Sequence, residues 1–102
     1  MIRDLSIKLT EIEKLCTQFS VHRLELFGSG VTNEDLPAES DLDFLAEFKS
    51  VAPGRYADNY LALREALEEL FGRPIDLVVA SAIKNPYFRQ SIDRSRKLLY
   101  AA

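Results

Sequence analysis

The sequence predicts a small α/β domain in which helices alternate with three or more strands. Apolar residues recur at steps of three and four near the N-terminus and again in the middle of the chain, as on one face of a helix. Short apolar or alternating runs between and after these segments are typical of strands. With 102 residues, 47% of them hydrophobic, the chain can form one core, so we assign residues 1–102 to one domain.

Three helices are predicted from apolar stripes and capping signals. The first stripe marks Cys16 as a core residue rather than a nucleophile, and its members are Ile2, Leu5, Leu9, Ile12, Cys16 and Phe19. A second stripe covers residues 60–71, with Gly72 placed as a C-terminal cap. Asn85, followed by a proline, begins a last helix that we expect over residues 86–99.

Three strands are predicted over residues 21–27, 41–48 and 75–79. The second alternates, with apolar side chains on one side and mostly acidic ones on the other. A turn over residues 50–55, which contains Pro53, separates it from the second helix. Helices interleaved with strands predict a small layered sheet packed against helices.

Composition excludes several classes of protein. The chain has 16 acidic and 13 basic residues, a net charge of −3 and a pI near 5.1, which argues against binding nucleic acid through overall charge. A single cysteine excludes an intrachain disulfide. No apolar run is long enough to span a membrane, and the first residues do not resemble a signal peptide. We therefore expect a cytoplasmic protein with no membrane partner.

The charges are unevenly distributed along the chain. Residues 1–83 carry 8 basic and 15 acidic side chains, a balance of −7, whereas residues 84–102 carry 5 basic side chains and 1 acidic one, a balance of +4. An acidic middle and a basic end indicate two faces that could hold one ligand. The alternative is a solvated acidic loop followed by an ordinary charged helix.

Acidic residues in apolar strands are the most informative feature. Asp41 and Asp43 project from one face of their strand, about 6.6 Å apart by strand rise. Their repulsion would be relieved by a divalent cation, and oxygen ligands suit magnesium. Asp76 is the single charge in an apolar strand and would join them if the two strands are neighbours. A salt bridge from Asp76 to Arg73 is an equally weighted alternative.

Gly28 and Ser29 directly follow the first predicted strand. Such a corner exposes backbone N–H groups and a hydroxyl, which together can hold a phosphate. A plain turn is the simpler alternative.

In combination these segments resemble the polymerase-beta-like nucleotidyltransferase superfamily, and more narrowly the minimal nucleotidyltransferase family. The resemblance begins with Leu26-Phe27-Gly28-Ser29 and continues, after ten residues, with Ser40-Asp41-Leu42-Asp43-Phe44-Leu45. It extends through residues 72–78 and, as the family's C-terminal helix, through residues 84–88 and 98–101. The resemblance implies the polymerase-beta-like fold, a small mixed sheet of three or more strands packed against helices.

The resemblance also implies a function and its residues. Gly28 and Ser29 would bind the triphosphate of ATP, while Asp41, Asp43 and Asp76 would be the catalytic acids and hold Mg²⁺, two ions in all. Asp76 would also help to deprotonate the attacking hydroxyl. Similar proteins are antitoxins that transfer AMP to a tyrosine hydroxyl of a HEPN ribonuclease toxin. The resemblance therefore implies a HEPN-domain partner and leaves a homo- or hetero-oligomer open, whereas the acidic balance of the chain predicts no direct contact with nucleic acid.

One segment departs from the family pattern. Relatives usually carry an arginine shortly after Gly-Ser, whereas residues 29–34 contain no basic residue and include Glu34. Loss of that cation should weaken triphosphate binding unless another replaces it. Arg89, Arg94 and Lys97 are the candidates in this chain, and a side chain of the partner is the alternative source. The alternative is an antitoxin that neutralises its HEPN partner by binding alone.

Overall fold

The computed structural model describes residues 1–52 and 54–102, so Pro53 of the predicted turn lies outside the described residues. The elements in chain order are α1 (Leu5–Gln18), β1 (Val21–Phe27), α2 (Ser29–Thr32), β2 (Leu42–Phe48), α3 (Arg55–Phe71), β3 (Ile75–Val79), α4 (Pro86–Asp93) and β4 (Lys97–Ala101). A single 3₁₀ turn follows β3.

The four strands form one mixed sheet in the order β3-β2-β1-β4. Strand β1 is antiparallel to both of its neighbours, whereas β2 and β3 are parallel. The start of β2, the start of β3 and the end of β1 therefore lie at one edge of the sheet, which we call the upper edge. Because of these strand directions, residues that are far apart in sequence lie together at that edge.

The main core lies between one face of the sheet and the helices α1 and α3. The stripe predicted for α1 is confirmed, because Ile12 and Cys16 are fully buried in this core. Burial raises the pKa of the Cys16 thiol to about 12, with a smaller contribution from Glu13, so the thiol stays protonated. Helix α3 ends at Gly72, whose φ of 65° is the left-handed C-terminal cap that the sequence predicts.

The opposite face of the sheet is covered by α4 and carries a smaller apolar cluster. Phe27, Leu45 and Ile92 are buried there. The Asn85 side chain accepts hydrogen bonds from the backbone N–H groups of Tyr87 and Phe88, which confirms the predicted start of this helix. Among the described residues, no helix is both long and apolar enough to cross a membrane.

The predicted last helix is wrong in its second half. We expected a helix over residues 86–99, but α4 ends at Asp93, and residues 97–101 form β4 instead. The cause is tertiary: pairing with β1 satisfies the backbone of this segment and lets Leu99 and Tyr100 pack against the main core. Apolar spacing along the chain carries no information about such a distant partner.

Truncating the main core should be far more costly than truncating the exposed side of the same helix. Leu67 is fully buried on α3, whereas Leu61 is 47% exposed. We expect Leu67→Ala to lower the free energy of unfolding by about 2–5 kcal/mol and Leu61→Ala to change it by less than about 0.5 kcal/mol, both measured by urea denaturation. Equal losses would contradict this placement of α3.

Candidate active site at the upper edge of the sheet

Asp43 and Asp76 are direct neighbours at the upper edge. They are paired in register between the parallel strands β2 and β3. Their apolar neighbours in sequence, Leu42, Phe44, Ile75 and Leu77, point into the main core. Because side chains alternate along a strand, both carboxylates lie on the α4 face. The second residue of β2 and the second residue of β3 are therefore aspartates that lie side by side.

This proximity changes the proton affinity of Asp43. Burial, the charges of Asp76 and Asp41, and a hydrogen bond with Asp76 raise the pKa of Asp43 to about 6. Asp41, which precedes β2, is thus close enough to act on the pair. The structure brings the three predicted acids to one edge of the sheet.

Arg73 is not the partner of Asp76. Its guanidinium donates to the carbonyl oxygens of Pro37 and Ser40, at 3.0 Å and 3.4 Å. This contact ties the loop before Asp41 to the start of β3. Within the described residues Asp76 makes no salt bridge, so the alternative of a structural Arg73–Asp76 pair is wrong.

Gly28 fits closely against Asp43. Its φ of 72° favours glycine, and a Cβ at this position would lie 2.7 Å from Oδ2 of Asp43. Ser29 follows as the exposed first residue of α2. The Gly28 N–H donates to Oγ of Ser95 at 2.8 Å. Only glycine lets the turn approach the carboxylate this closely, and sequence reasoning missed Ser95 because nothing local marks it.

The acidic segment after Ser29 is occupied by contacts with the N-terminus. Arg3 donates to Asp35 at 2.9 Å and lies 3.6 Å from Glu34, while the Ile2 N–H donates to the Gly30 carbonyl. Glu34 therefore has a structural role that explains the acid found in this segment. The segment supplies no cation to the turn.

The basic C-terminal residues occupy different places. Arg89 donates to the carbonyl of Ala80, beyond the far end of β3, about 10 Å or more from Asp76 by strand rise. Lys97 pairs with Leu26, whose side chain lies in the main core, so the register directs Lys97 away from the α4 face. Arg94 lies next to Ser95 and thus beside the Gly28 turn.

A buried acid that sequence reasoning missed holds this C-terminal segment in place. Glu25 is only 2% exposed, and it accepts from Arg23 at 2.8 Å and from Arg96 at 2.7 Å. Burial would raise the pKa of Glu25, but hydrogen bonds and charges from both arginines outweigh it and hold the pKa below its ordinary value. Asp93 also accepts from Arg96. The available signal was an acid between Leu24 and Leu26 in an apolar strand.

The acids at the upper edge offer the right donor type for a hard cation. Carboxylate oxygens are the ligands that Mg²⁺ prefers, and the mutual repulsion that raises the pKa of Asp43 is what a divalent cation would relieve. Over residues 1–52 and 54–102, no three His, Cys, Asp or Glu side chains are grouped closely enough to form a complete metal site. Oxygen atoms of a bound phosphate could complete the coordination shell.

The chain matches known proteins over most of its length. The family model described as nucleotidyltransferase domain matches residues 10–99. A protein of Methanocaldococcus jannaschii, named as a candidate protein adenylyltransferase, is 36% identical over 92 residues, which are 90% of this chain and 88% of that protein. Protein adenylyltransferase MntA of Thermococcus cleftensis is 33% identical over 78% of this chain and 84% of its own length.

Solved structures share the fold. A candidate minimal nucleotidyltransferase is 29% identical, with a TM-score of 0.71 over 91% of this chain and 90% of that one. A complex of an MNT antitoxin with a tri-AMPylated HEPN toxin from Shewanella oneidensis gives a TM-score of 0.65 at 17% identity, over 96% of this chain and 73% of that one. The second likeness concerns the fold alone. Together with the family match, these likenesses confirm the predicted fold class.

Removing the charge of Asp43 should stabilise the protein when no cation is present. Because folding raises the pKa of Asp43 to about 6, the folded state retains a proton between about pH 4 and pH 6 that the unfolded state has released. The free energy of unfolding therefore falls as pH rises through this window. We expect Asp43→Asn to be more stable than the wild type by about 1–2 kcal/mol at pH 7.5, a figure reduced for partial exposure.

Urea denaturation in EDTA at pH 7.5 and pH 4 measures this difference, which should vanish at pH 4. The matched control is Glu47→Gln, an exposed acid on the same strand and the same face, which should change stability equally little at both pH values. An Asp43→Asn variant no more stable than the wild type at pH 7.5 would show that the carboxylates do not repel one another appreciably.

Proposed function

Because this chain belongs to the nucleotidyltransferase domain family, we propose that it is a Mg²⁺-dependent antitoxin that transfers AMP from ATP to a tyrosine hydroxyl of a HEPN-domain toxin. The observation that carries this proposal is the in-register pairing of Asp43 with Asp76 beside the Gly28 turn. In this geometry two carboxylates lie beside the turn that follows β1, an arrangement that suits transfer of a nucleotidyl group.

Each residue at the upper edge has a role in the proposed reaction. Gly28 and Ser29 form the turn that binds the triphosphate, with the backbone N–H and the hydroxyl of Ser29 as donors, since the Gly28 N–H already donates to Ser95. The tyrosine oxygen attacks the α-phosphorus of ATP, a new O–P bond forms, and the bond to the β-phosphate oxygen breaks to release pyrophosphate. The hydroxyl proton passes to Asp76, which neighbours Asp43 and has no cationic partner among the described residues.

Asp41, Asp43 and Asp76 would hold magnesium, and we propose two ions. When bound, the ions supply positive charge that stabilises the transferring phosphoryl oxygens and the leaving pyrophosphate. The residues of this chain then fix the direction of attack. Arg73 keeps the loop before Asp41 close to the start of β3, and the Gly28 turn stays in van der Waals range of Asp43.

The acceptor and the partner are proposed from the names of relatives. MntA of Thermococcus cleftensis is named a protein adenylyltransferase, and a protein of the same fold is an antitoxin in complex with an AMPylated HEPN toxin. We place the reaction in the cytoplasm, where ATP is available and a lone buried cysteine such as Cys16 stays reduced.

Neutralisation by binding alone is the second candidate function. It is favoured by the absence of a basic residue from residues 29–34 and by the pairing of Glu34 with Arg3. In this case the chain would cover the toxin without modifying it. The two functions differ in whether the toxin gains mass.

Intact-mass spectrometry of a HEPN-domain toxin that binds this chain tests the proposal. After incubation with this chain, ATP and Mg²⁺, we expect the toxin to gain mass in whole AMP units. Asp43→Asn should slow the gain at least about a hundredfold, since metal-held charge supplies several kcal/mol to the barrier, and EDTA should abolish it.

Glu47→Gln is the matched control, because it removes an acid from the same face of β2 outside the upper edge, and it should transfer AMP at the wild-type rate. A stable complex whose toxin gains no mass, while its ribonuclease activity is still suppressed, would establish binding alone. Transfer by Asp43→Asn at the wild-type rate would contradict the assigned site.

A further inference from the structure

We infer that the junction between α4 and β4, residues 94–96, forms a second wall of the nucleotide site, in which Ser95 and Arg94 bind the triphosphate. This inference rests on the proposed function, since it assigns two further residues to the same site. It goes beyond the Gly-Ser turn and the three acids.

Ser95 is joined to the Gly28 turn by a hydrogen bond. A serine hydroxyl can accept through its oxygen and donate one proton. Because the Gly28 N–H donates to Oγ of Ser95 at 2.8 Å, the hydroxyl proton points elsewhere, and no acceptor for it is found among the described residues. Ser95 therefore holds the turn and presents a hydrogen-bond donor directly beside it.

Contacts of Arg96 hold the junction between α4 and β4 in place. Arg96 follows Ser95 and donates to the buried carboxylate of Glu25 at 2.7 Å and to Asp93 at 2.6 Å. Breaking this ion pair would take one of its two cationic partners from the buried carboxylate of Glu25, which is costly. The clasp formed by Glu25, Arg96 and Asp93 therefore sets the position of Ser95 against Gly28.

The segment after the Gly28 turn, residues 29–34, lacks a basic residue. Triphosphate binding needs positive charge, and residues 29–34 supply none. Arg96 and Arg23 are both occupied by Glu25, whereas the guanidinium of Arg94 makes no ion pair or hydrogen bond within residues 1–52 and 54–102. An exposed arginine next to Ser95 can reach a phosphate bound at the turn and bind two of its oxygens.

The two other candidates are placed unfavourably. Arg89 is bound to the carbonyl of Ala80 beyond the far end of β3. Lys97 lies opposite Leu26 and belongs to the face of the main core. Of the three cations that the sequence offered, Arg94 is the one beside the turn.

Equilibrium binding of the unreactive analogue AMP-PNP with Mg²⁺ tests this wall without requiring turnover. Calorimetric titration of the whole chain should show that Arg94→Gln raises Kd about tenfold at low salt, the size of one charge-assisted contact, and that added salt weakens its binding less than that of the wild type. Arg94→Lys should restore part of the affinity. Arg89→Gln, the matched control in the middle of α4, should bind within twofold of the wild type.

Ser95 is tested in the same titration. Ser95→Ala should weaken binding several-fold, and Ser95→Thr, which keeps the hydroxyl, should restore it. Thermal melts without nucleotide show whether each variant is folded. If the wild type binds AMP-PNP and Arg94→Gln binds it with the same Kd, this inference is overturned and the proposed function still stands. Failure of the wild type to bind AMP-PNP at all would overturn both.

Discussion

The repulsion between Asp43 and Asp76 is the constraint on which the upper edge depends. Burial disfavours the ionised form of Asp43, and the charges of its in-register neighbour Asp76 and of Asp41 add to this, which is why the pKa of Asp43 lies near 6. A sheet can contain such a pair only if its other contacts stabilise the folded state sufficiently. Here the alternate residues of the same two strands, among them the fully buried Phe44, lie in the main core, so one face provides the stability that the other face lacks.

The α4 face combines an apolar cluster with one buried acid, Glu25, and two less buried ones, the half-buried Asp43 and the exposed Asp76. Glu25 is compensated inside the protein by Arg23 and Arg96, whereas Asp43 and Asp76 have no cation of their own among the described residues. An acid with cationic partners, such as Glu25, fixes the position of a segment. The pair of Asp43 and Asp76 lacks such partners and would be stabilised by positive charge from a bound ligand. The clasp at Glu25 thus belongs to the scaffold of the site, since it carries Ser95 to the Gly28 turn.

Local patterns predicted most of the fold, and tertiary contacts account for what they missed. The stripe of α1, the bounds of β1 and β3 and the cap at Gly72 follow from spacing within one element. Strand β4 and the partner of Glu25 could not be predicted, because both depend on residues more than 70 positions apart. The acids were conspicuous because they interrupt apolar strands. Ser95 was not, since a serine before a strand is ordinary until the Gly28 turn is seen beside it.

The cost of the paired acids bears on the choice between transfer and binding alone. A protein that only covered its partner would gain from replacing Asp43 with a neutral residue, because this half-buried side chain would then escape the repulsion from Asp76 and Asp41. Gly28 leaves room for the Asp43 carboxylate, and its φ of 72° favours glycine as well. All of these features are present together in a chain that lacks a cation after Ser29. Their joint presence is what the proposed transfer requires, and under that proposal the departure from the family pattern lies in the source of the phosphate-binding charge.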